Sequence, residues 1–567
     1  MTNRHRIFFI TLVLLTAIFA ARLIYLQIYK YDFYKNKSKN QFKRIVHLYP
    51  NRGTILDRNL TPLALTQPTY HIYAVPDDIE NKWTFAKLVT TTLKTDRKTL
   101  SDKLYKTKAP FLWIKRHCNE DTMQALKALN LQGLGIIKTK KRVYPYNNIA
   151  PHVLGFVGID NQGLAGLEFK YDTRLKGAAG KIILDKDPKG TPLLSGKKIQ
   201  IPQHDGETIV TTLDSNIQFT AQQALATAVE KYSAEAGQVI IMAAKTGDIL
   251  AMANIPTYNA THINSSTPQQ RRNRPVTDMF EPGSIFKMIT LASVIEEDIV
   301  SSKTTLNVPE TYQLHDKLIK EAHPRDDKEG SSKTVSEIIE QSLNVGTTLL
   351  ALKLGEERLY KYIKDFGFGQ KTMIELPGES EGLLRPVDKW SGVDIGMISF
   401  GQGIAVTGLQ MVAAYGVIAN NGTYIKPRII QYFTNNENTT RKAVPIKTQQ
   451  QVVSAATANQ VKTVLKKVVE RGTAQNLQIK GYSIGGKTGT AQKPKSNGRG
   501  YDPGKYVASF IGFFPVEDPE IVMLVAIDSP KKQYYGSTVA GPVFKQCAEF
   551  MIDYLHIPPS HLLAKVK

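Results

Sequence analysis

GYSIGGKTGTAQ, residues 481–492, admits two incompatible readings. Gly481, four residues, then Gly486-Lys487-Thr488 is a full match to the phosphate-cradling loop of nucleotide hydrolases, G-x-x-x-x-G-K-[ST]. The same letters contain Lys487-Thr488-Gly489, the third element of the serine acyltransferases whose first element is S-x-x-K. A phosphate loop needs a buried strand before it and a helix directly after, because N–H groups at the helix start hold the phosphates. The lead-in NLQIKGYS is a poor buried strand, and Pro494, Gly498, Gly500 and Pro503 in the continuation leave no room for a helix. VMLVAID, ending at Asp528, resembles a magnesium-holding strand, but it cannot supply the missing helix. A further Lys-Thr-Gly, Lys245 to Gly247, lies between the apolar runs GQVIIMAA and ILAMAN and reads as a hairpin turn with Gly247 at positive φ.

The acyltransferase reading needs a nucleophile and a base. FEPGSIFKMITLASVIEEDIV offers both: Pro282-Gly283 stops the preceding chain and Ser284 opens a helix apolar nearly all round, hence buried. Lys287, three residues on, shares a face with Ser284. A lysine in such a helix is desolvated, which favours its neutral form, and a neutral amine can take the serine proton. The bland alternative is a snorkelling lysine with Ser284 as helix cap. Ser342-Leu343-Asn344, between two helical segments, adds a hydroxyl that can relay a proton and an amide that can orient a substrate amide. Lys487-Thr488-Gly489-Thr490 adds a cation, hydroxyls, and a glycine that permits close approach of a peptide chain. Each triplet alone is common. The order S-x-x-K, S-x-N, K-T-G, with spacings of about 60 and 140 residues, is specific.

Composition sets outer bounds. At 567 residues, two or more domains are expected, and 42% hydrophobic content argues for folded material. Cys118 and Cys547 match no metal or redox spacing, and the eleven histidines form no H-E-x-x-H or Cys/His cluster, so no metal site is expected. The formal charge of +23 is spread thinly, without aromatic platforms, which speaks against nucleic acid and suits anionic lipid or wall polymer. From Ile7 to Ile28 the chain is apolar enough to cross a bilayer core of about 30 Å. No small-x-small cleavage pair occurs from Leu14 to Leu23, so an uncleaved signal anchor is expected over 1–29. Arg4 and Arg6 precede the span while Lys30, Lys35, Lys37 and Lys39 follow it, so local charge does not decide the orientation.

Beyond the anchor, residues 30–205 read as a lysine-rich stalk followed by a non-catalytic α+β region with strands such as YHIYAVP and GIIKTKKRVYP. The seam is KKIQIPQHDGETIVTTLDSNIQ, and a second domain over 206–567 opens with a helix capped by Asp214. YVASFIGFFPVEDPEIVMLVAID gives two apolar strands across a Pro-bearing turn, consistent with an antiparallel sheet in an α+β fold.

With these motifs in place, the chain resembles the class B penicillin-binding proteins, the monofunctional D,D-transpeptidases of peptidoglycan. The resemblance runs through RGTILDRNLTPLA (52–64), YPYNNIAPHVLGFVG (144–158), GLAGLEFKYDTRLKG (163–177), SFGQGIAVTGLQMVAAYG (399–416) and YVASFIGFFPVEDP (506–519). Leu60 departs from the family's DRNG pattern and puts a local turn in doubt. The resemblance implies a β-lactamase-like transpeptidase domain, a five-stranded antiparallel sheet flanked by helices, on an elongated pedestal, with no metal, nucleotide or other cofactor. It implies Ser284 as nucleophile and Lys287 as base, with Ser342 and Asn344 assisting. Lys487, Thr488 and Thr490 would hold the substrate carboxylate beside Gly489, with the Ser284 and Thr490 N–H groups as oxyanion hole. The implied substrates are stem peptides, with β-lactams as covalent inhibitors and the catalytic domain outside a bacterial cytoplasmic membrane. FEPGSIFK and SFGQGIAVTGLQ look more like the division and spore-septum branch (FtsI type) than the elongation branch. That branch implies a partner glycosyltransferase of the shape-elongation-division-sporulation family and other divisome proteins.

Rival functions share some of the motifs. A β-lactamase would lack the pedestal and anchor, and a D,D-carboxypeptidase would pass the same acyl group to water. A β-lactam sensor would need more spans and an H-E-x-x-H segment. A silent divisome scaffold would not need Ser284, Lys287 and Lys487 intact.

Overall fold

The structure is a computed structural model that describes residues 3–41, 43–185, 198–322, 331–435, 439–495 and 500–563. Phe42 of the lysine-rich stretch and Gly498 of the helix-breaking run lie outside the described residues. The chain forms two compact units: Met1–Asn51 with Gly177–Gly206, and Arg52–Lys176 with Glu207–Lys567.

In the first unit, a continuous helical stretch Asn3–Tyr29 of 27 residues contains an 18-residue window of mean hydropathy 2.5 and has no buried residues. That is long and apolar enough to cross a membrane, and its last turn, Tyr25–Tyr29, is a π turn. A helix Tyr31–Gln41 follows, and Lys43–Leu48, Gly180–Asp185 and Lys198–Ile201 make a three-stranded antiparallel sheet.

The second unit unites residues that the sequence divides between pedestal and catalytic region. Strand Ile55–Leu56 pairs in parallel with Thr208–Thr211, which pairs with Ile430–Thr434, so one seven-stranded sheet carries both. Ile55, Leu63, Val153 and Leu167 are buried in the same apolar core as the central five-stranded sheet. Tyr70, Ile72, Phe85, Val89 and Leu104 form a separate small core beneath the outer end of strand Pro62–Ala74. Leu60, which departs from the family glycine, adopts φ 65 in a turn closed by Asp57, the left-handed geometry glycine takes at least cost.

The central sheet has five strands: Ala236–Ala243 (β1), Ile249–Ile255 (β2), Gly485–Pro494 (β3), Tyr501–Phe514 (β4) and Ile521–Asp528 (β5). Their order is β2-β1-β5-β4-β3, every neighbour antiparallel. This is the antiparallel α+β arrangement expected from the sequence. The helix Ser215–Lys231 (α1) begins at Asp214, whose carboxylate accepts the Asn216 and Ile217 N–H groups as the sequence suggests. Of Lys287–Glu296 (α2), every residue before Glu296 is buried. Asn344–Leu354 (α3) packs against α2, while Gly408–Ala419 (α4) and Ala455–Glu470 (α5) lie against the sheet. Gly541–Tyr554 (α6) packs on α1 and β5.

Both disputed triplets are now placed. After Lys487-Thr488-Gly489 the chain continues as strand β3 into β4, so no helix start faces a phosphate. Lys245-Thr246-Gly247 joins β1 to β2, with Gly247 at φ 73 and the Lys245 amine paired with Asp518 at 2.8 Å and Glu520 at 3.0 Å. It is a turn. Cys118 and Cys547 are both free and buried.

Candidate active site

Ser284 sits in a single 3-10 turn, Gly283–Phe286, that runs directly into α2. The turn is pinned from outside: Gly283 N–H donates to the Gly401 carbonyl at 3.0 Å, and the Tyr415 hydroxyl donates to the Ile285 carbonyl at 2.8 Å. Ser284 is half-buried, and its hydroxyl bonds to no side chain among the described residues. It is therefore not a helix cap; the cap position is Pro282, which offers no side-chain bond.

Lys287 does not snorkel. Its side chain is fully buried, and its Nζ donates to the Ser342 carbonyl at 2.6 Å, to Asn344 Oδ1 at 2.8 Å and to Ser342 Oγ at 3.3 Å. Burial pulls its amine down from the ordinary 10.5 to about 7, against an opposing pull from Glu321. The neutral amine that a base at this position would need is thus available near neutral pH.

Lys487 reaches the same hydroxyl from the sheet, with Nζ 2.8 Å from Ser342 Oγ. It is fully buried, and burial, then the nearby Lys287 amine, hold it well below its ordinary value. One serine oxygen thus joins two desolvated amines. Ser342 itself holds φ 61, a left-handed conformation costly for a non-glycine residue, which leads into the first turn of α3.

Strand β3 brings the rest. It is an edge strand, and its middle lies against the Ser284 turn: a Cβ on Gly489 would fall 3.3 Å from the Pro282 carbonyl oxygen and 3.0 Å from Ile285 Cγ2. Thr488 Oγ1 is 2.8 Å from Thr473 Oγ1, and Thr490 Oγ1 accepts the Gly536 N–H at 3.2 Å. Ser284, Asn344 and Thr490 line one open cavity of about 420 Å³, walled by Leu318, Phe400 and Tyr506. A larger cavity of about 490 Å³ lies by Arg272, Arg274 and Lys493, but those cations are paired with Asp278 and Asp528, and it has no hydroxyl or thiol nucleophile.

All eight residues singled out in the sequence therefore fall in one neighbourhood. Glu321, Thr473 and Tyr415 belong to the same neighbourhood; Glu321 and Thr473 carry no sequence signal, and Tyr415 has only its place in the family-like stretch 399–416, since each enters through a contact made by folding. Gly489 gives a local test. A Cβ there would also fall 2.4 Å from the buried Ser509 Oγ, so Gly489→Ala must shift β3 relative to Ser284. A shift of this kind is expected to lower acylation by a fluorescent penicillin about 10²-fold with the fold retained by circular dichroism. An unchanged rate would mean that β3 has slack.

Comparison with known proteins identifies the family. Residues 237–549 match the penicillin binding protein transpeptidase domain, and residues 47–211 match the penicillin-binding protein dimerisation domain. Stage V sporulation protein D of Bacillus subtilis is 36% identical over 98% of this chain and 87% of its own length. The "Probable peptidoglycan D,D-transpeptidase PenA" of Neisseria gonorrhoeae is 34% identical over 99% of this chain and 94% of its own. The crystal structure of penicillin binding protein 3 of Mycobacterium tuberculosis complexed with aztreonam superposes with TM-score 0.72 at 29% identity, covering 91% of this chain and 98% of that one. The chain belongs to the class B penicillin-binding proteins and is a transpeptidase of that family.

Proposed function

We propose that this transpeptidase cross-links peptidoglycan stem peptides through an acyl-enzyme on Ser284. The observation that carries the reading is the meeting of two desolvated lysines on one serine hydroxyl, beside a half-buried serine whose hydroxyl bonds to no side chain among the described residues. Neutral Lys287 takes the Ser284 proton as Oγ attacks the carbonyl of the penultimate D-alanine. The tetrahedral oxyanion forms between the N–H groups of Ser284 and Thr490, where loss of one donor typically costs ~10²–10³ in rate. Ser342 passes a proton to the leaving amine, D-alanine departs, and an amine from a neighbouring stem peptide resolves the ester. Lys487, Thr488 and Thr490 hold the terminal carboxylate, Gly489 lets the peptide lie close to β3, and Asn344 orients the peptide amide.

The same reading makes β-lactams covalent inhibitors through the same serine. The helical stretch Asn3–Tyr29 acts as a single-pass anchor with a short cytoplasmic tail, residues 30–205 as a pedestal and 206–567 as the catalytic domain outside the membrane. The stretches FEPGSIFK and SFGQGIAVTGLQ support a septal role in division, and with it a membrane glycosyltransferase of the shape-elongation-division-sporulation family as partner. The test is covalent labelling by a fluorescent penicillin. Wild type and Lys245→Ala are expected to take the label and Ser284→Ala to take none. Label surviving in Ser284→Ala means a different nucleophile, and an unlabelled, folded wild type means a scaffold.

A further inference from the structure

We infer that Glu321 is a positioning residue for the acyl transfer, its carboxylate fixing the first turn of α3 and through it the Asn344 amide against which Lys287 is held. The inference rests on the acyl-enzyme reading above and adds to it a residue from outside the three motifs.

The geometry is specific. Glu321 follows a hairpin, Thr311–Leu314 paired with Lys317–Lys320, seated by the buried side chains of Leu314 and Ile319. Its two carboxylate oxygens accept the N–H groups of Asn344 at 2.5 Å and Val345 at 3.1 Å. These are the opening N–H groups of α3, whose own cap residue, Leu343, has no side chain able to accept them. An anion at this end is favoured by the helix dipole as well. The preceding residue completes the clamp: the Asn344 side-chain amide donates to the Lys320 carbonyl at 3.0 Å, which leaves Oδ1 facing Lys287 Nζ at 2.8 Å. Asn344 is thus held by its backbone, its NH₂ and its carbonyl from three directions, two of them supplied by Lys320 and Glu321.

The placement has an electrostatic side. The charged group that acts on Lys287 is Glu321, from the hairpin end; Lys287 in turn lowers Lys487 on β3, and on its own helix no acid precedes Glu296. Glu321 opposes the drop caused by burial, so it sets how far into the neutral range Lys287 falls. The wall of the cavity that contains Ser284 is built from the same hairpin, residues Lys317–Lys320. A single carboxylate therefore ties the cleft wall, the S-x-N helix and the base together.

The experiment uses the full chain and the second-order rate of acylation by a fluorescent penicillin, followed through pH on both sides of about 7. Glu321→Ala is expected to lower the plateau rate roughly 10- to 100-fold, the factor that corresponds to charge-assisted hydrogen bonds. Glu321→Gln keeps the shape, loses the charge and can accept only one of the two N–H groups, so its loss is about 10-fold. In both variants the midpoint of the rise in rate moves to lower pH, because the acid that favours charged Lys287 is gone. The Gln variant decides the matter even where the Ala variant melts. Wild-type rates in folded Glu321→Gln, or a slower rate with an unmoved midpoint, overturn the inference and leave Glu321 an ordinary helix cap. Absence of label on the wild type overturns the acyl-enzyme reading, and this inference with it.

Discussion

Lys287→Ala is expected to lower acylation by a fluorescent penicillin by at least about 10³-fold, the scale of a lost general base at a serine nucleophile. Lys287→Arg is expected to fare no better, although it keeps the length and charge, because a guanidinium does not give up its proton. The wild-type rate should climb with pH through about 7, where burial has placed the Lys287 amine, and level off above. Stability should carry the opposite face of the same fact. The folded amine titrates near 7 and the unfolded one near 10.5, so between those values the unfolded chain holds more protons and stability rises with pH. Below about 7 the desolvation cost is fully present, and above 10.5 it is gone. Lys287→Met should remove this share of the rise, leaving the share of Lys487, whose shift has the same sign. A flat acylation profile across neutral pH would show that some other group takes the Ser284 proton.

Glu168→Gln is expected to destabilise the protein by roughly 3–5 kcal/mol without slowing acylation in the molecules that remain folded. Glu168 is fully buried, and its two oxygens meet Arg52 Nε and Arg142 Nε, each at 2.6 Å. Arg52 keeps a second acid, Asp172 at 2.6 Å, and donates to the Glu168 carbonyl. Among the described residues Arg142 has no second acid; it bonds the Gly53 carbonyl and Thr66, while its Nη2 lacks a partner there. The cost of neutralising Glu168 therefore falls on a buried Arg142. Arg142→Met in the same background should recover a large part of the lost melting temperature, because removing both charges is far cheaper than stranding one. Equal melting of Glu168→Gln and wild type would mean that water reaches the cluster.

These two sites show what was legible before folding and what was not. The three motifs are local strings, and the chemistry of each follows from residue type, spacing and the apolar surroundings of Lys287. The sheet could be read from alternating apolar runs and the Asp214 cap from one letter before a helix. The Arg52–Glu168–Arg142 cluster could not, since its members lie in three separate segments and look like ordinary surface charges until the sheet closes. Its arginines and glutamate nevertheless fall in or next to RGTILDRNLTPLA, YPYNNIAPHVLGFVG and GLAGLEFKYDTRLKG, the stretches that carried the family likeness in the pedestal. Glu321 was hidden for the same reason, a lone acid in KLIKEAH whose partner is a helix start 23 positions on. The Ser284 turn is 3-10 where a regular helix start was expected, because Gly283 and the contacts from Gly401 and Tyr415 tighten it.

The partial cover of strand β3 has a consequence that can be put as a ruler. Helix α5 and the Ser284 turn lie along the strand, and Gly485 to Gly489 are all buried. Beyond it Thr490, Gln492, Lys493 and Pro494 reach solvent while Ala491 is buried, so the uncovered end spans at most five residues, or about 16 Å at the usual rise of about 3.3 Å per residue. An unprotected sheet edge ordinarily invites any extended chain to pair with it. Here the first residue to reach solvent, Thr490, lines the same cavity as Ser284. On the proposed reading, the open end of this edge would take only a short extended peptide, before any side chain of a substrate had been read.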